Sequence, residues 1–357
     1  MPELVSERHE GIGMDGAGLR ALRQQLRLSQ SELKDALNRG LDRSYDKPRV
    51  SRWENGREPI PEEVIRAVQG MAEDRPRHAR IIVLANQKGG VGKTTSALNL
   101  ACGLARRGAR VLLADLDPQA TASVAMMAVG SVEAYRQGRT MAHVILRDLP
   151  LEQAIFTQDD PLLNGQAGFD LVPSHIDLAE TDGRREPGFD VALREALEAV
   201  RDRYDVIIVD APPNLGVLTV MGLTAADAVL IPVRTEPYDS MGVGLILSTI
   251  GKVQRRLNPA LRVAGILPTQ FGARKSVDRE VLSQLIVAMG ERAPVLEAVP
   301  SSAVFGHAAR NGRIALEASP TASAVAVYGR LATALLAGGD LPRADLPSPA
   351  LEPEHGR

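Results

Sequence analysis

Residues 86 to 95 read NQKGGVGKTT, a glycine-rich run that holds two lysines five positions apart, Lys88 and Lys93. Clustered glycines let a backbone curl until successive N–H groups face one anion, and a helix that starts at the same point adds its positive end. Gly89, Gly90, Val91 and Gly92 would form that cradle. Lys93 would then sit against the outer phosphates of a nucleotide, and the hydroxyl of Thr94, with Thr95 next to it, would face a magnesium ion. The run departs from G-x-x-x-x-G-K-[ST] at its first glycine, where Gln87 stands. Two further stretches could supply carboxylates. VLLADLDPQ ends an apolar run at Asp115 and Asp117, and YDVIIVDAPP ends another at Asp210. An acid at such a point can hold magnesium, directly or through water. A single acid there is ordinary solvation; three beside a phosphate loop suggest phosphoryl chemistry.

These side chains need a scaffold that brings strand ends together. From residue 80 to about 338 the chain alternates short apolar runs with longer helical ones. The runs are 79 to 86, 109 to 115, 170 to 174, 204 to 212, 228 to 233 and 263 to 271. Each is continuous instead of alternating, as strands buried on both faces are. The expected architecture is α/β, a doubly wound and mostly parallel sheet with nucleotides at its carboxyl edge. Residues 1 to 78 have a helical, polar pattern, which predicts a small all-helical domain. Residues 339 to 357 are rich in Pro, Gly and acid, which predicts a disordered tail.

With 357 residues, 44% of them hydrophobic and 24% charged, the chain has material for two domains with packed interiors. Net charge is −2, so any affinity for nucleic acid must come from a local patch. Cys102 is the only cysteine, which excludes an internal disulfide framework or a cysteine-held cluster and fits a reducing cytoplasm. No apolar run is long enough for a membrane span, and the first residues lack the pattern of a signal peptide.

The succession KGGVGKTT, DLDPQ, LVPSHIDLA, YDVIIVDAPPNLG, LIPV and GILPTQFGAR resembles the ParA family of deviant Walker ATPases, over nearly all of 80 to 338. The resemblance implies MgATP binding, weak ATPase activity and an ATP-dependent sandwich homodimer. It makes Lys88 the signature lysine that reaches the partner's nucleotide, Asp117 the residue needed for hydrolysis, and Asp210 the Walker B acid. Thr94, Asp117 and Asp210 would serve the magnesium. Adenine would lie between PTQFGAR, with Gln270, and AVPSSAV, with Pro300. The resemblance further implies a ParB-like centromere-binding partner that stimulates hydrolysis, and association with the nucleoid through basic residues of the dimer. Among relatives, iron-protein cousins need paired cysteines, MinD-type proteins end in a basic membrane-binding helix, and bacterial tyrosine kinases end in a tyrosine cluster. None of these fits this chain, and no membrane partner is expected.

The N-terminal zone resembles a helix-turn-helix of the Cro/repressor type. Ser29 and Glu32 form a capping-box pattern, and a second helix is expected to begin near Ser44 or Asp46, with Pro48 in its first turn. On that helix Arg49 and Arg52 share a face, and with Lys47 and Ser51 they are the candidate DNA contacts. Residues 17 to 57 carry ten cations against five acids, the local excess that the global charge required. The link between the two helices is longer than a three- or four-residue turn. ParA proteins with such a domain repress their own operon, so the expected function is DNA partition with autoregulation. The alternative is an ATP-controlled transcriptional regulator without a segregation role.

Overall fold

The computed structural model describes residues 14–26, 28–73, 78–163, 168–184, 186–236, 239–290 and 292–345. The chain divides into two compact units, Met1–Pro76 and Arg77–Arg357.

Among the described residues the first unit has four helices: α1 (Gly16–Gln25), α2 (Gln30–Leu41), α3 (Lys47–Glu54) and α4 (Glu62–Glu73). Local chemistry sets their starts. The Ser29 hydroxyl accepts from Glu32 N at 3.2 Å and the Glu32 carboxylate accepts from Ser29 N at 2.7 Å, the expected capping box. Asp46 caps α3 by accepting from Arg49 N at 2.9 Å, with Pro48 in the first turn. Between them Asp42 ends α2 in the left-handed region, φ 50°, and the link runs from 42 to 46. Leu19, Leu33, Leu37, Val50, Trp53, Val64 and Val68 make a core in which each is buried. Helix α1 packs so closely on the end of α3 that a Cβ on Gly16 would lie 2.3 Å from the Trp53 carbonyl oxygen. Glu54 is buried under this contact. Its carboxylate accepts from Arg23 Nε at 2.5 Å and from Gln30 Nε2 at 2.9 Å.

The second unit is built on a six-stranded sheet in the order β3-β2-β4-β1-β5-β6, every pairing parallel. The strands are β1 (Arg80–Leu84), β2 (Val111–Asp115), β3 (Asp170–Val172), β4 (Val206–Asp210), β5 (Ala228–Arg234) and β6 (Arg262–Thr269). All six apolar runs became strands, for the reason their composition gave. Alternate residues feed two separate cores, Ile81, Val83, Leu112 and Ile207 on one face and Ile82, Leu84, Leu113 and Ile208 on the other. Helix α5 (Lys93–Ala105) follows β1 and lies in the second core, with Cys102 buried in it.

One expectation fails. The predicted tail is not disordered throughout. Past Gly339, Leu341 and Ala344 pack on the two cores, Glu297 N donates to Pro342 O at 2.9 Å, and Ala344 N donates to Val295 O at 3.0 Å. Two apolar side chains and a short backbone ladder outweigh the composition. The rest of that prediction, 346–357, lies outside the described residues.

Candidate functional site

Strand β1 delivers the chain to Asn86, which is buried and ties the loop's mouth to β5. Its Nδ2 donates to Pro232 O at 2.6 Å and its Oδ1 accepts from Lys88 N at 3.1 Å. Gly90 and Gly92 then take φ of 71° and 83°, a left-handed backbone that needs glycine. Gly92 stands at the N-cap of α5 without a side-chain cap, so the first N–H groups of that helix face the loop. From the far side Thr269 Oγ1 donates to Val91 O at 2.8 Å and Gln270 Nε2 donates to Gly90 O at 2.9 Å. Gln270 itself sits at φ 55°. Its amide, expected near adenine, thus also braces the phosphate loop. The two segments foreseen for the base do meet. Phe271 N donates to Val299 O at 3.0 Å, and Phe271 pairs with Pro300.

Lys93, the first residue of α5, is buried at 6% exposure and its Nζ donates to Lys88 O at 3.2 Å. Burial lowers its pKa, and the nearby charges of Asp210 and Asp117 oppose that shift. Asp115 and Asp210 stand opposite each other in the β2–β4 register, both fully buried. Burial pushes the Asp115 carboxyl up to about 6, against the hydrogen bonds it receives. Those come from Ser123 Oγ at 2.6 Å, Ser123 N at 2.9 Å and Asp117 N at 3.2 Å. Asp210 is raised well above the usual carboxylate range by burial and then by Asp115, while the Thr94 hydroxyl and Lys93 oppose this. Neither of its oxygens has a hydrogen-bond partner of ordinary geometry.

That orphaned carboxylate is a test of fit for magnesium. Mg²⁺ keeps several waters and takes one or two carboxylates beside substrate phosphates. Asp210, with the Thr94 hydroxyl beside it, offers that donor set, and hydrated Mg²⁺ would satisfy oxygens that the protein leaves bare. Asp117 is 8% exposed, its Oδ1 accepts from Gln119 N at 3.0 Å, and its backbone carbonyl accepts from Ser174 Oγ at 2.6 Å. Lys88 lies on the open rim, 45% exposed, with Nζ 4.0 Å from Glu236 Oε2. Glu236 also pairs with Arg234 at the end of β5. Arg234 is a third cation at the loop that sequence reasoning missed; its signal was a charge closing an otherwise apolar strand.

In the helical unit the structure sets Lys47, Arg49, Ser51 and Arg52 on α3 as expected. Lys47 is exposed and Ser51 half-buried. Arg49 and Arg52 both engage Glu58, through an ion pair at 3.6 Å and a hydrogen bond at 2.6 Å.

A glycine cradle at a helix N-terminus, a buried lysine and a strand-end acid, on a doubly wound parallel sheet, define a P-loop nucleotide-binding protein. Known proteins narrow that class. Residues 79–263 match a family model described as an AAA domain. The chromosome-partitioning ATPase Soj of Thermus thermophilus is 39% identical over 259 residues, which cover 72% of this chain and 96% of Soj. The chain belongs to the ParA/MinD family of ATPases. An uncharacterised Mycobacterium tuberculosis protein is 40% identical over 216 residues, and the chain spans 65% of its length. Among solved structures, cobyrinic acid a,c-diamide synthase from Mycobacterium smegmatis, with bound ATP analog and magnesium, has a TM-score of 0.62 and 33% identity. It covers 75% of this chain and all of that one. A putative plasmid partition protein of Borrelia burgdorferi bound to AMPPNP, at 22% identity and TM-score 0.57 over 70% of this chain and 95% of that one, shares the fold. No helix among the described residues is long and apolar enough to cross a membrane.

Proposed function

We propose that this protein is a DNA-partition ATPase that binds MgATP on the loop Lys88–Thr95 and hydrolyses it slowly. The observation that carries the reading is Asp210, a fully buried carboxylate with no hydrogen-bond partner of ordinary geometry, set beside the Thr94 hydroxyl and Lys93. A carboxylate is costly to bury without full compensation, and an arriving cation would supply it. Thr94, Asp117 and Asp210 would hold magnesium, which would supply positive charge to offset that of the outer phosphates. Lys93 would hold the β and γ phosphates, the N–H groups from Gly89 to Thr95 would line them, and Asp117 would orient the attacking water. The 268–271 and 299–301 segments frame the base.

Lys88 would act away from its own loop. Exposed at the rim, it would reach the nucleotide of a second copy in an ATP-dependent homodimer and offset the phosphate charge that two facing nucleotides bury. The dimer would bind nucleoid DNA without sequence preference, with Arg255, Arg256, Arg274, Lys275, Arg310 and Arg313 as candidate contacts. A ParB-like partner would stimulate hydrolysis and release it. The four-helix unit would act as a helix-turn-helix that binds the operator of its own operon through α3.

Nucleotide binding, sedimentation and turnover test the reading together. Lys93→Ala should abolish ATP binding. Lys88→Gln should bind ATP as a monomer yet fail to dimerise. Asp117→Ala should trap an ATP dimer on DNA. Full dimerisation by Lys88→Gln, or undiminished turnover by Asp117→Ala, would remove those roles. The four-helix unit favours one second reading, a transcriptional regulator in which ATP is only a conformational ligand. That protein would occupy its operator with ATP bound and show no stimulation of turnover by a ParB-like partner.

A further inference from the structure

The three-residue spacing of Arg49 and Arg52 puts two guanidinium groups on one face of α3, and one acid from the turn after the helix serves both. Glu58 Oε1 accepts from Arg52 Nε at 2.6 Å, and Glu58 Oε2 lies 3.6 Å from Arg49 Nε. Arg49 also lies over the rings of Tyr45 and Trp53, 5.7 and 5.8 Å from their centroids. Those rings are packed edge-on 5.0 Å apart, and the Tyr45 hydroxyl is anchored on Glu63 at 2.6 Å. Every one of these contacts uses the Nε side or the flat face of a guanidinium. Among the described residues no other hydrogen bond to either group is present, so the edge formed by Nη1 and Nη2 stays open on both. The two side chains are 49% and 41% exposed, against 34% for Glu58.

An acid at this place weakens attraction to phosphates, because Arg49, Arg52 and Glu58 together carry one positive charge instead of two. What it adds is direction. A free arginine loses much rotamer freedom when it docks, whereas one already held by Nε loses less and keeps its planar donor fork. A partly neutralised fork suits a neutral base edge better than a phosphate. We infer that Glu58 is a positioning residue that presents Arg49 and Arg52 as two preformed forks for guanine O6 and N7 in the major groove of duplex DNA. The inference rests on the reading of the four-helix unit as DNA-binding.

The test selects the full-length chain against a pool of duplexes with a randomised core, then measures affinity for the selected duplex and for the unselected pool. The wild-type chain should enrich guanines. Glu58→Gln should hold the random pool as well as the wild type or slightly better, while its ratio of selected to random affinity falls about tenfold. Glu58→Asp, which keeps the charge but is one methylene short, should lose the ratio without tightening on the pool. An unchanged ratio in Glu58→Gln, with native Trp53 emission, overturns the inference. Should Trp53 emission show that this variant has unfolded, Arg52→Lys decides: it keeps the charge and lacks the fork, and an unchanged ratio there overturns the inference equally. A wild-type chain that selects no sequence overturns the DNA-binding reading of the unit and this inference with it.

Discussion

Buried carboxylates behave oppositely in the two units. In the α/β unit Asp115 and Asp210 are pushed up, mainly by burial. In the helical unit burial also pushes Glu54 up, but the Arg23 and Gln30 hydrogen bonds and the charges of Arg23 and Arg20 outweigh it and hold the group below its usual range. Glu63, which is not buried, is likewise drawn down to about 2 by hydrogen bonds from Arg43 and Tyr45. The difference is one of partners. The helical unit answers each of these acids with arginine from its own chain, so the ion pairs hold the helices together. At the carboxyl end of β4 Asp210 has only Lys93 and the Thr94 hydroxyl beside it, which do not outweigh its burial, and the deficit marks where a ligand's charge belongs.

Four measurements can break or sharpen this contrast. The largest effect should come from Glu54→Gln, which leaves Arg23 at 13% exposure without its anion and should cost the helical unit about 3 kcal/mol. Trp53 is the only tryptophan and lies in that unit's core, so its emission follows this unit alone. A loss below 1 kcal/mol would mean that the ion pair is not what holds α1 to α3. Next, Asp115→Asn should lower the melting temperature of the nucleotide-free chain by an amount worth about 2 kcal/mol, because an amide N–H would face the donors of Ser123. By contrast Asp210→Asn should leave that melting temperature unchanged or raise it by an amount worth about 1 kcal/mol, while abolishing the magnesium dependence of nucleotide binding. Equal destabilisation by the two Asn variants would erase the distinction between an answered and an unanswered acid. The smallest effect is on pH. Glu63 has a depressed folded-state pKa, so the stability it contributes is complete above its ordinary value of 4.5 and is lost as pH falls toward about 2. Trp53 emission should therefore report progressive weakening of the helical unit across that window, smaller in Glu63→Gln, where Glu54 still contributes its share.

Much of this was legible beforehand, unevenly. The six strands could be read because a strand buried on both faces must be apolar without interruption, and Ile81 to Leu84 or Val206 to Val209 allow little else. Helices α2 and α3 could be read from their caps, since Ser29 with Glu32 and Asp46 with Pro48 act within one turn. The loop's glycines and Lys93 were legible because few other arrangements hold a polyphosphate. What escaped was tertiary. No spacing indicates that Gln270 turns its amide to the Gly90 carbonyl, or that Arg234 closes on Glu236. The pairing of 342–344 with 295–297 joins segments nearly fifty residues apart and uses only backbone groups, while the local composition argues for disorder.

That last pairing has a consequence for how the molecule avoids sticking to itself. Strand β6 is one of the two outer strands of the sheet, and the row of amide and carbonyl groups along such a border is a template for any passing chain. Here Val295 lies alongside Ile266, and Arg343 lies against Leu296 in turn, so the border is covered twice by short irregular stretches instead of by a strand. A chain cut after Gly339 would keep every residue of the nucleotide loop and lose the outer cover. It should still bind ATP, and the bared backbone of 295–297 should lead it to aggregate.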